Sequence, residues 1–514
     1  MTTTLHTLAF IQANLYQDSV ALMRVAQRVL ALPDVVNATL QMGNPANKEI
    51  LQEAGLLTAD VSGAGPSDIM VVVQARTAAA AEGAQALCRA QLAGQPDAGA
   101  STSAVEAVPA RNLAMGVQAG MNLAQISVPG IYAAAEALKA LQLGLNVFLF
   151  SDNVPLAQEV ALKQEATRRG LLVMGPDCGT AIIGGVPLGF ANVVRRGSIG
   201  LVAASGTGLQ EVTTQVHRMG GGISHAIGTG GRDVYAQVGG ATMLQGISLL
   251  ARDAATQVIV IVSKPPAPEV TRKVLAAVVA ASKPAVLLFL GAKLKLTAAQ
   301  QRSSTVVHTL VDAAAVAVKL ARVKSAPLAR YAMPPQPAFA PSQRYLRALF
   351  SGGTYAAEAQ VIWAQQGLKI WSNVPLDDAL ALPDARRSSR EHTALDLGDD
   401  AFTVGRPHPM IDQAARIERL RAEAADASVR AVVLDVVIGW GAHADPAGEL
   451  APVITQLKRQ ARKAGRELAV IGFVCGTEDD PQGLAAQEAK LQAAGMVLAG
   501  NSANAAWLAA RWLR

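Results

Sequence analysis

The sequence predicts a multi-domain α/β protein. At 514 residues the chain is too long for one ordinary hydrophobic core, so several domains are expected. Patterns typical of buried strands alternate with helical patterns, which indicates βαβ units and parallel sheets. Several strands run directly into glycine-rich turns that open helices, as in doubly wound sheets. We therefore expect a small N-terminal α+β unit, a Rossmann-like domain and two flavodoxin-like domains.

Residues 1–95 are predicted to form the N-terminal α+β domain. Residues 18–32 have helical spacing, whereas 35–42 and 68–73 have the apolar pattern of strands. A polar stretch rich in Ala, Gly and Ser, residues 94–103, predicts a linker.

Residues 108–196 are predicted to form the Rossmann-like domain. Strand patterns at 123–128, 146–150 and 171–174 alternate with helical patterns at 131–143 and 156–169. Such alternation is typical of a parallel sheet with helical crossovers.

Two further α/β domains are predicted at 197–325 and 343–514. The first contains strand patterns at 198–204, 257–262 and 285–290, and the second at 345–350, 431–437 and 468–474. Five prolines between positions 327 and 341 predict an extended connector, which we bound at 326–342.

Composition narrows the function classes. The longest apolar runs fall short of the ~18 residues of a membrane span, and Met1–His6 lacks the basic region of a secretory signal, so a cytoplasmic protein is expected. The net charge is +6, but basic residues are scattered and aromatic residues make up 4%, which argues against nucleic acid. An anionic small molecule is the expected partner. Three isolated cysteines and the absence of HExxH predict no metal site.

The turn Ser205-Gly206-Thr207 follows a buried strand and opens a helix. The first N–H groups of such a helix are unpaired, and the helix dipole adds positive charge. Gly206 lets the backbone approach an anion, and the two hydroxyls can donate hydrogen bonds. An ordinary helix cap without a ligand remains the alternative.

Three other turns stand at strand ends and have the same physical properties. They are Ser351-Gly352-Gly353-Thr354, Gly439-Trp440-Gly441-Ala442-His443 and Cys475-Gly476-Thr477. We predict that they help to bind phosphate, and that the turns at 205–207 and 439–443 face each other as two halves of one site.

Three residues are candidates for catalysis. Arg232, in the turn Gly228-Thr229-Gly230-Gly231-Arg232-Asp233, could clamp an anion. His443 lies on a glycine turn at a strand end, where ligands bind in these sheets. Cys178 also follows a strand, with a buried inert thiol as the alternative. The sequence has no Walker A lysine motif, which excludes a P-loop NTPase.

Taken together, several motifs resemble a known family. Gly175-Pro176-Asp177-Cys178-Gly179, Gly197 to Val202, the 205–207 turn and the 228–233 turn resemble the α subunit of succinyl-CoA synthetase in order and spacing. Leu395-Asp396-Leu397-Gly398, Gly439-Trp440-Gly441 and Cys475-Gly476-Thr477 are similar to the ligase domain of its β subunit. With the N-terminal unit, this layout is similar to the FdrA family.

The resemblance implies a CoA-binding-type domain at 108–196 and synthetase-type ligase domains at 197–325 and 343–514. It implies a substrate or CoA loop formed by Ser151, Asp152, Asn153, Pro176, Asp177, Gly230 and Gly231. The chain departs from the synthetase in three ways. It lacks the glycine-rich fingerprint and an ATP-grasp domain, and residues 290–295 contain no histidine where the synthetase carries its phosphohistidine.

FdrA-type proteins are linked with carbamoyl transfer, so the resemblance implies a subunit of a phosphate-dependent carbamoyltransferase of ureide breakdown. Oxalurate and phosphate would give oxamate and carbamoyl phosphate, with no further cofactor and with other subunits in an oligomer. Whether CoA binds stays open. One alternative is an acyl-CoA synthetase or CoA ligase, and another is a non-catalytic subunit that binds a phosphorylated metabolite.

Overall fold

The computed structural model describes residues 5–15, 17, 19–93, 110, 112–324, 331, 334–403 and 406–513. The predicted linker 94–103 lies outside the described residues. Of the predicted connector 326–342, only positions 331 and 334–342 are described. The chain divides into two compact units, Met1–Met115 and Gly116–Arg514.

The first unit is a small α+β fold with an antiparallel sheet in the order β1-β3-β2. Residues of β3 are almost wholly buried, and they form the centre of the sheet. The elements are β1 (His6–Gln12), α1 (Ser19–Leu30), β2 (Val35–Met42), α2 (Pro45–Glu53), α3 (Ala59–Ser62), β3 (Ile69–Ala75) and α4 (Ala78–Leu92).

The second unit begins with α5 (Leu113–Gly116) at its boundary and a three-stranded parallel sheet. Its elements are β4 (Leu123–Ile126), α6 (Gly130–Gln142), β5 (Asn146–Leu149), α7 (Leu156–Arg169) and β6 (Val173–Met174). These bounds confirm the predicted Rossmann-like alternation.

A seven-stranded sheet follows in the order β13-β12-β11-β9-β10-β7-β8. Its strands are β7 (Thr180–Ile183), β8 (Val186–Gly189), β9 (Arg196–Ala203), β10 (Ile223–Gly228), β11 (Val258–Ser263), β12 (Ala285–Phe289) and β13 (Ser304–Val306). Its helices are α8 (Gly206–Arg218), α9 (Ala241–Arg252), α10 (Pro268–Ala280), α11 (Ala298–Ser303) and α12 (Leu310–Leu320). Five strands run parallel, and β7 and β8 form an antiparallel hairpin.

The last sheet has six parallel strands in the order β15-β16-β14-β17-β18-β19. Its strands are β14 (Tyr345–Phe350), β15 (Ile370–Trp371), β16 (His392–Asp396), β17 (Val429–Val437), β18 (Ala469–Cys475) and β19 (Val497–Leu498). Its helices are α13 (Gly353–Ala364), α14 (Asp400–Thr403), α15 (Ala414–Ala425), α16 (Pro446–Lys463), α17 (Leu484–Ala493) and α18 (Ser502–Arg511).

The two large sheets have a similar strand arrangement. In each, the first strand of the parallel set lies inside the sheet: β9 lies between β10 and β11, and β14 lies between β16 and β17. The next strands along the chain lie on one side of it, and the later strands extend outward on the other. The order reverses beside β9 in one sheet and beside β14 in the other. Ligands bind at such reversal points, outside the carboxyl ends of the strands. The fold thus points to the starts of α8 and α13, which follow these two strands.

Candidate functional site

Helix α8 starts with free backbone donors. Strand β9 ends in the buried segment before Ser205, whose extended backbone caps the helix while its Oγ accepts from the Gly208 N–H at 2.8 Å. In the part of the chain that the structure describes, the N–H groups of Gly206 and Thr207 have no hydrogen-bond partner. These two donors are the groups that an anion at a helix start would accept.

Helix α13 repeats this arrangement. Its cap is Gly352, which has no side chain to satisfy the first turn, and the N–H groups of Gly353 and Thr354 have no partner among the described residues. Ser351, one of the predicted phosphate ligands, instead donates its N–H to the carboxylate of Asp435 at 2.9 Å and its hydroxyl to the other oxygen. Ser351 therefore anchors the turn, and the free donors lie after it.

The two helix starts contact each other. The hydroxyls of Ser205 and Thr354 are hydrogen-bonded, and Gly352 lies so close to Thr207 that a side chain at 352 would overlap it. The contacts are reciprocal, since the cap of each helix meets the second residue of the other. Two positive helix ends and four free N–H groups thus converge on one place, which fits a phosphate-like dianion.

Two charged side chains flank this place, and the sequence motifs did not single out either of them as a ligand. A Cβ atom at Gly353 would lie 2.8 Å from Asp396 Oδ2 and 3.2 Å from Lys264 Nζ. Lys264 forms no ion pair with any residue described in the structure. Its ammonium group is available to an anion at the start of α13.

Both residues stand at strand ends, which is the signal that could have revealed them. Lys264 follows β11 directly, and Asp396 is the last residue of β16. Since all parallel strands of a doubly wound sheet end at the same edge, a charged residue after an apolar strand is a ligand candidate.

Carboxylates are concentrated on one side of the site. Burial raises the pKa of Asp396 to about 7, against the opposing effect of Lys264. The Asp177 carboxyl reaches solvent, yet desolvation by the surrounding protein, followed by the charges of Asp152 and Asp400, raises its pKa to about 7. The predicted loop residue Asp177 therefore lies near Asp396, although far from it in sequence, and Asp152 lies near Asp177 and Asp400.

His408 is a further residue beside the site that the sequence did not indicate. Its Nε2 lies close to the α-carbon of Gly398, where the Ser351 carbonyl and Asp396 Oδ1 also converge. Nδ1 accepts the Met410 N–H at 3.2 Å, and the ring packs on Phe190 with centroids 5.5 Å apart. Burial lowers the pKa of His408 to about 4, so the ring is neutral near pH 7 and carries its proton on Nε2.

Arg232 has a structural partner. Its guanidinium pairs with the buried Glu159 at 2.9 Å and donates to the Val154 carbonyl at 2.7 Å, so it joins the 228–233 turn to α7 and to the loop before that helix. Gly230 has a positive φ of 78° and lies against Pro176, whereas the α-carbon of Gly231 faces open space. The predicted anion clamp is therefore held by the protein's own carboxylate.

Other residues of the predicted substrate loop also have structural contacts. Ser151 donates its hydroxyl to the Val128 carbonyl at 2.6 Å, and Asn153 adopts a positive φ of 53° in the loop before α7. These contacts fix the loop that presents Asp152.

Cys178 does not have the properties of a nucleophile. The thiol is buried between Gly228 and the Thr180 carbonyl, and burial raises its pKa to about 12. A catalytic cysteine needs an accessible thiolate. These properties fit the alternative that the sequence left open, a buried inert thiol packed in the core.

The turn at 439–443 does not face Ser205-Gly206-Thr207 as predicted. The Trp440 N–H donates to the Ala191 carbonyl at 2.8 Å, and Gly439 packs against the same segment. The turns at 351–354 and 439–443 both follow strands of the six-stranded sheet, so the sequence alone did not show which of them meets the 205–207 turn. The strand that continues into the opposing helix is β14.

His443 stabilises the start of α16. Its Nδ1 accepts the Asp445 N–H at 3.0 Å, and its Nε2 lies 3.2 Å from Glu449 Oε1. The hydrogen bond with Glu449 raises the pKa of His443. These contacts tie His443 to its own turn and not to the paired helix starts. Gly441, in the same turn, packs against Phe190.

In the turn Cys475-Gly476-Thr477, an internal carboxylate occupies the anion position. Asp480 Oδ2 accepts the Thr477 N–H at 2.8 Å, and the Thr477 hydroxyl donates to the Val193 carbonyl at 2.7 Å. The Gly476 carbonyl accepts from Arg218 Nε at 3.0 Å. This turn joins the two large sheets, and Asp480 takes the place at Thr477 that the sequence predicted for phosphate.

Across the described ranges, no three His, Cys, Asp or Glu residues are grouped so that they could hold a metal ion. Of the helices that the structure describes, none combines the length and apolarity needed to cross a bilayer.

Three family models match parts of the chain. The "CoA-ligase" family matches residues 349–512, the "CoA binding domain" family 194–291, and the "AllF, heavy metal-associated domain" family 4–109. The CoA-binding match falls on the seven-stranded sheet, C-terminal to most of the region for which the resemblance implies that domain. The matches and the two sheets show a multi-domain α/β protein of CoA-ligase type.

Individual proteins are similar over different lengths. A protein of Escherichia coli K12, "Uncharacterized protein YahF", is 42% identical over 519 residues, covering 98% of each chain. The α subunit of succinate–CoA ligase from Aquifex aeolicus is 28% identical over 171 residues, which are 31% of this chain and 54% of that subunit. A solved acetyl-coenzyme A synthetase of Ca. Korarchaeum cryptofilum aligns over 78% of this chain and 86% of its own, with 15% identity and a TM-score of 0.34.

Proposed function

Since the chain belongs to the same family as Escherichia coli YahF, and since that family's large domains are of CoA-ligase type, we propose that it is a CoA-ligase-like enzyme that moves an acyl group between phosphate and an acceptor. The observation that carries this proposal is the meeting of the α8 and α13 starts. Acyl transfer from a phosphate needs a place where the phosphate dianion is stabilised, and the paired helix starts supply one.

In the proposed reaction the N–H groups of Gly206, Thr207, Gly353 and Thr354 hold the phosphate, and Lys264 adds a full positive charge. As the bond between the acyl carbon and the phosphate oxygen breaks, negative charge grows on the phosphate. Fixed donors at that position stabilise the charge by about 3 kcal/mol each, because they need no reorganisation.

The comparisons favour CoA as the acceptor. The matched families are described as CoA-ligase and CoA binding, and a matched relative is a succinate–CoA ligase α subunit. That alignment spans about half the length of the relative. We therefore propose the CoA reaction for this chain as the first candidate.

A carbamoyl acceptor is the second candidate, and two observations favour it. The acidic side of the site, with Asp152, Asp177 and Asp400, would repel the several phosphates of CoA. The only histidine that the structure places beside the helix starts, His408, carries its proton on Nε2 and so has no free lone pair there to receive a phosphoryl group. Carbamoyl transfer between oxalurate and phosphate needs neither CoA nor a phosphohistidine.

One pair of assays separates the candidates. The full chain, alone and with the products of neighbouring genes, is given acetyl phosphate with CoA in one reaction and oxalurate with phosphate in the other. Acetyl-CoA formation supports the first candidate, and carbamoyl phosphate formation supports the second. Phosphate binding without either product would support the non-catalytic alternative.

Both candidate functions require phosphate to bind at the paired helix starts, and a substitution at Lys264 tests this requirement. Lys264→Ala is expected to weaken the binding of inorganic phosphate by roughly ten- to a hundredfold, the range for a lost charged hydrogen bond. Lys273→Ala removes an equal charge from the exposed face of α10 and is the matched control. Isothermal titration calorimetry measures both. Equal phosphate affinity in the two variants would contradict the proposed site.

A further inference from the structure

The carboxyl group of Asp396 has one oxygen that the fold fixes and one that it leaves free. Oδ1 accepts the Gly398 N–H at 2.9 Å. The Asp396 N–H donates to Asn373 Oδ1 at 3.0 Å, and the Asp396 carbonyl accepts from Asn373 Nδ2 at 2.9 Å. Oδ2 has no hydrogen-bond partner among the residues that the structure describes, and it points to the α-carbon of Gly353. The fold therefore orients this oxygen toward the first turn of α13 without pairing it.

The charged and titratable groups around Asp396 are Lys264 after β11, Asp399 in its own loop, Asp435 in β17, Asp177 before β7, and His408. Asp435 is paired with Arg416 at 3.2 Å, and His408 is neutral. Lys264 forms no ion pair with Asp396 within the described part of the chain.

Burial and these neighbours keep Asp396 close to the midpoint of its titration. Desolvation raises the pKa, Lys264 opposes the increase, and the result is about 7. An acid–base group works best when its pKa is near the working pH, because both protonation states are then populated.

We infer that Asp396 is the proton-transfer group of the paired-helix site, an inference that rests on the proposed function. In the direction from acyl phosphate, the acceptor H–X attacks the acyl carbon and the new C–X bond forms. Asp396 Oδ2 takes the proton from X. The bond between the acyl carbon and the phosphate oxygen breaks, its electron pair stays on that oxygen, and Asp396 returns the proton to it.

The products of this step are the acylated acceptor and hydrogen phosphate, so the atoms and charges balance without any other reactant. In the reverse direction Asp396 takes the proton of hydrogen phosphate as it attacks the acyl carbon, and gives it to the leaving group X. The position of Oδ2 beside Gly353 places it next to the phosphate in both directions.

The test uses the full chain and inorganic phosphate. Calorimetric titrations in two buffers of different protonation enthalpy, at pH 7, give the number of protons taken up on binding. A dianion beside Asp396 raises its proton affinity, so the native chain is expected to take up more protons than the Asp396→Asn variant, in which only the phosphate itself titrates. Asp396→Asn keeps an oxygen for the Gly398 N–H but cannot titrate, and this variant is expected to lose that uptake.

Asp399→Asn is the matched control, since it removes the same charge from the same loop and leaves Asp396 in place. It is expected to keep most of the proton uptake. In whichever transfer assay the native chain supports, Asp396→Asn should lower kcat about 100-fold or more while KM for phosphate changes little. Asp396→Glu, which restores a carboxyl, should recover part of the proton uptake and serves if the Asn variant does not fold.

The outcomes are distinguishable. Proton uptake and kcat that are unchanged in Asp396→Asn would overturn the inference and leave the proposed function standing. A native chain that does not bind phosphate would overturn both. Loss of uptake in Asp396→Asn and in Asp399→Asn alike would also overturn it, since the effect would then come from the loop's charge and not from Asp396.

Discussion

Gly353 is the position where three parts of the site meet. Its N–H group is one of the free donors of α13, and its α-carbon lies against Asp396 Oδ2 and Lys264 Nζ. A methyl group here would stand 2.8 Å from the carboxylate oxygen, closer than Cβ atoms are found in proteins. Glycine is required by this close approach, because the neighbouring side chains have to reach the helix start.

Gly353→Ala is predicted to weaken phosphate binding by about tenfold and to leave the fold intact. The methyl group displaces the ends of two flexible side chains, while alanine suits the first turn of a helix at least as well as glycine. Calorimetry with inorganic phosphate and thermal unfolding measure the two effects. Gly83→Ala, in the interior of α4 with open space around it, is the control and should leave phosphate binding unchanged.

At the scale of residues, local sequence patterns indicate half of the candidate site. The donors of both helix starts were found because Ser, Gly and Thr after a buried strand have a local physical meaning. Lys264, Asp396 and His408 were not found as ligands, since each reaches the site through tertiary contacts that no local pattern encodes. Conversely, Cys178 and Thr477 also follow strands, as ligands in such sheets do. However, Cys178 is buried in the core, and the Thr477 N–H already donates to the Asp480 carboxylate.

At the scale of elements, helix α7 is locked to the seven-stranded sheet by a buried ion network. Lys163 lies 3.0 Å from Glu159 on the same helix and 2.8 Å from Asp233. Asp233 in turn accepts the Thr242 and Met243 N–H groups at the start of α9. With Arg232 on the other side of Glu159, two cations and two carboxylates join three elements.

Lys163→Met is predicted to destabilise the second unit by about 3–5 kcal/mol. The substitution leaves two buried carboxylates with one cation, and breaking a buried pair from one side costs that much. Lys139→Met on α6 removes an exposed cation from a surface pair and should have little effect. Urea denaturation measures both variants. An unchanged denaturation midpoint for Lys163→Met would contradict the account.

The long elements were predictable and the short ones were not. Apolar strands such as β11 and β14, and the helices after them, have the periodicity that predicts their type. Strands β15 and β19 have two residues each, too few for any pattern. They exist because a neighbouring strand offers its edge, which is a tertiary cause.

At the scale of the whole second unit, the two large sheets meet along α8 and α13. Glu211 and Glu358 hold equivalent places on the two helices, five residues after each helix begins, and both are buried. Glu358 accepts the Leu310 N–H at 2.7 Å and a hydrogen bond from Ser502. Burial raises the pKa of Glu358 to about 7, and it raises the pKa of Glu211 as well.

This burial predicts a pH-dependent stability. Between pH 4.5, the ordinary pKa, and about pH 7, the folded protein holds a proton on Glu358 that the unfolded chain has lost. Its contribution to stability is therefore complete below pH 4.5 and is lost as the pH rises through 7, by about 3 kcal/mol in all. Glu358→Gln should be more stable than the native chain at pH 8 and should lose this slope.

Thermal unfolding of both proteins from pH 5 to 8 gives the difference. Burial lowers the pKa values of His392 and His408 to about 4, so these residues make stability rise with pH, opposite to Glu358. Both histidines are present in the variant and in the native chain, so the difference between the two proteins removes their contribution. Parallel curves for the two proteins would show that Glu358 does not hold its proton in the folded state.

The meeting of α8 and α13 has a consequence for how the site is assembled. Two helix starts on separate subunits would meet only at protein concentrations that hold the subunits together. Here one backbone links Leu320 to Tyr345, and the two halves find each other intramolecularly. Tethering of this kind replaces a dissociation constant with an effective concentration. The paired helix starts should thus persist at any dilution, and a defect in either half cannot be repaired by exchange with a sound copy.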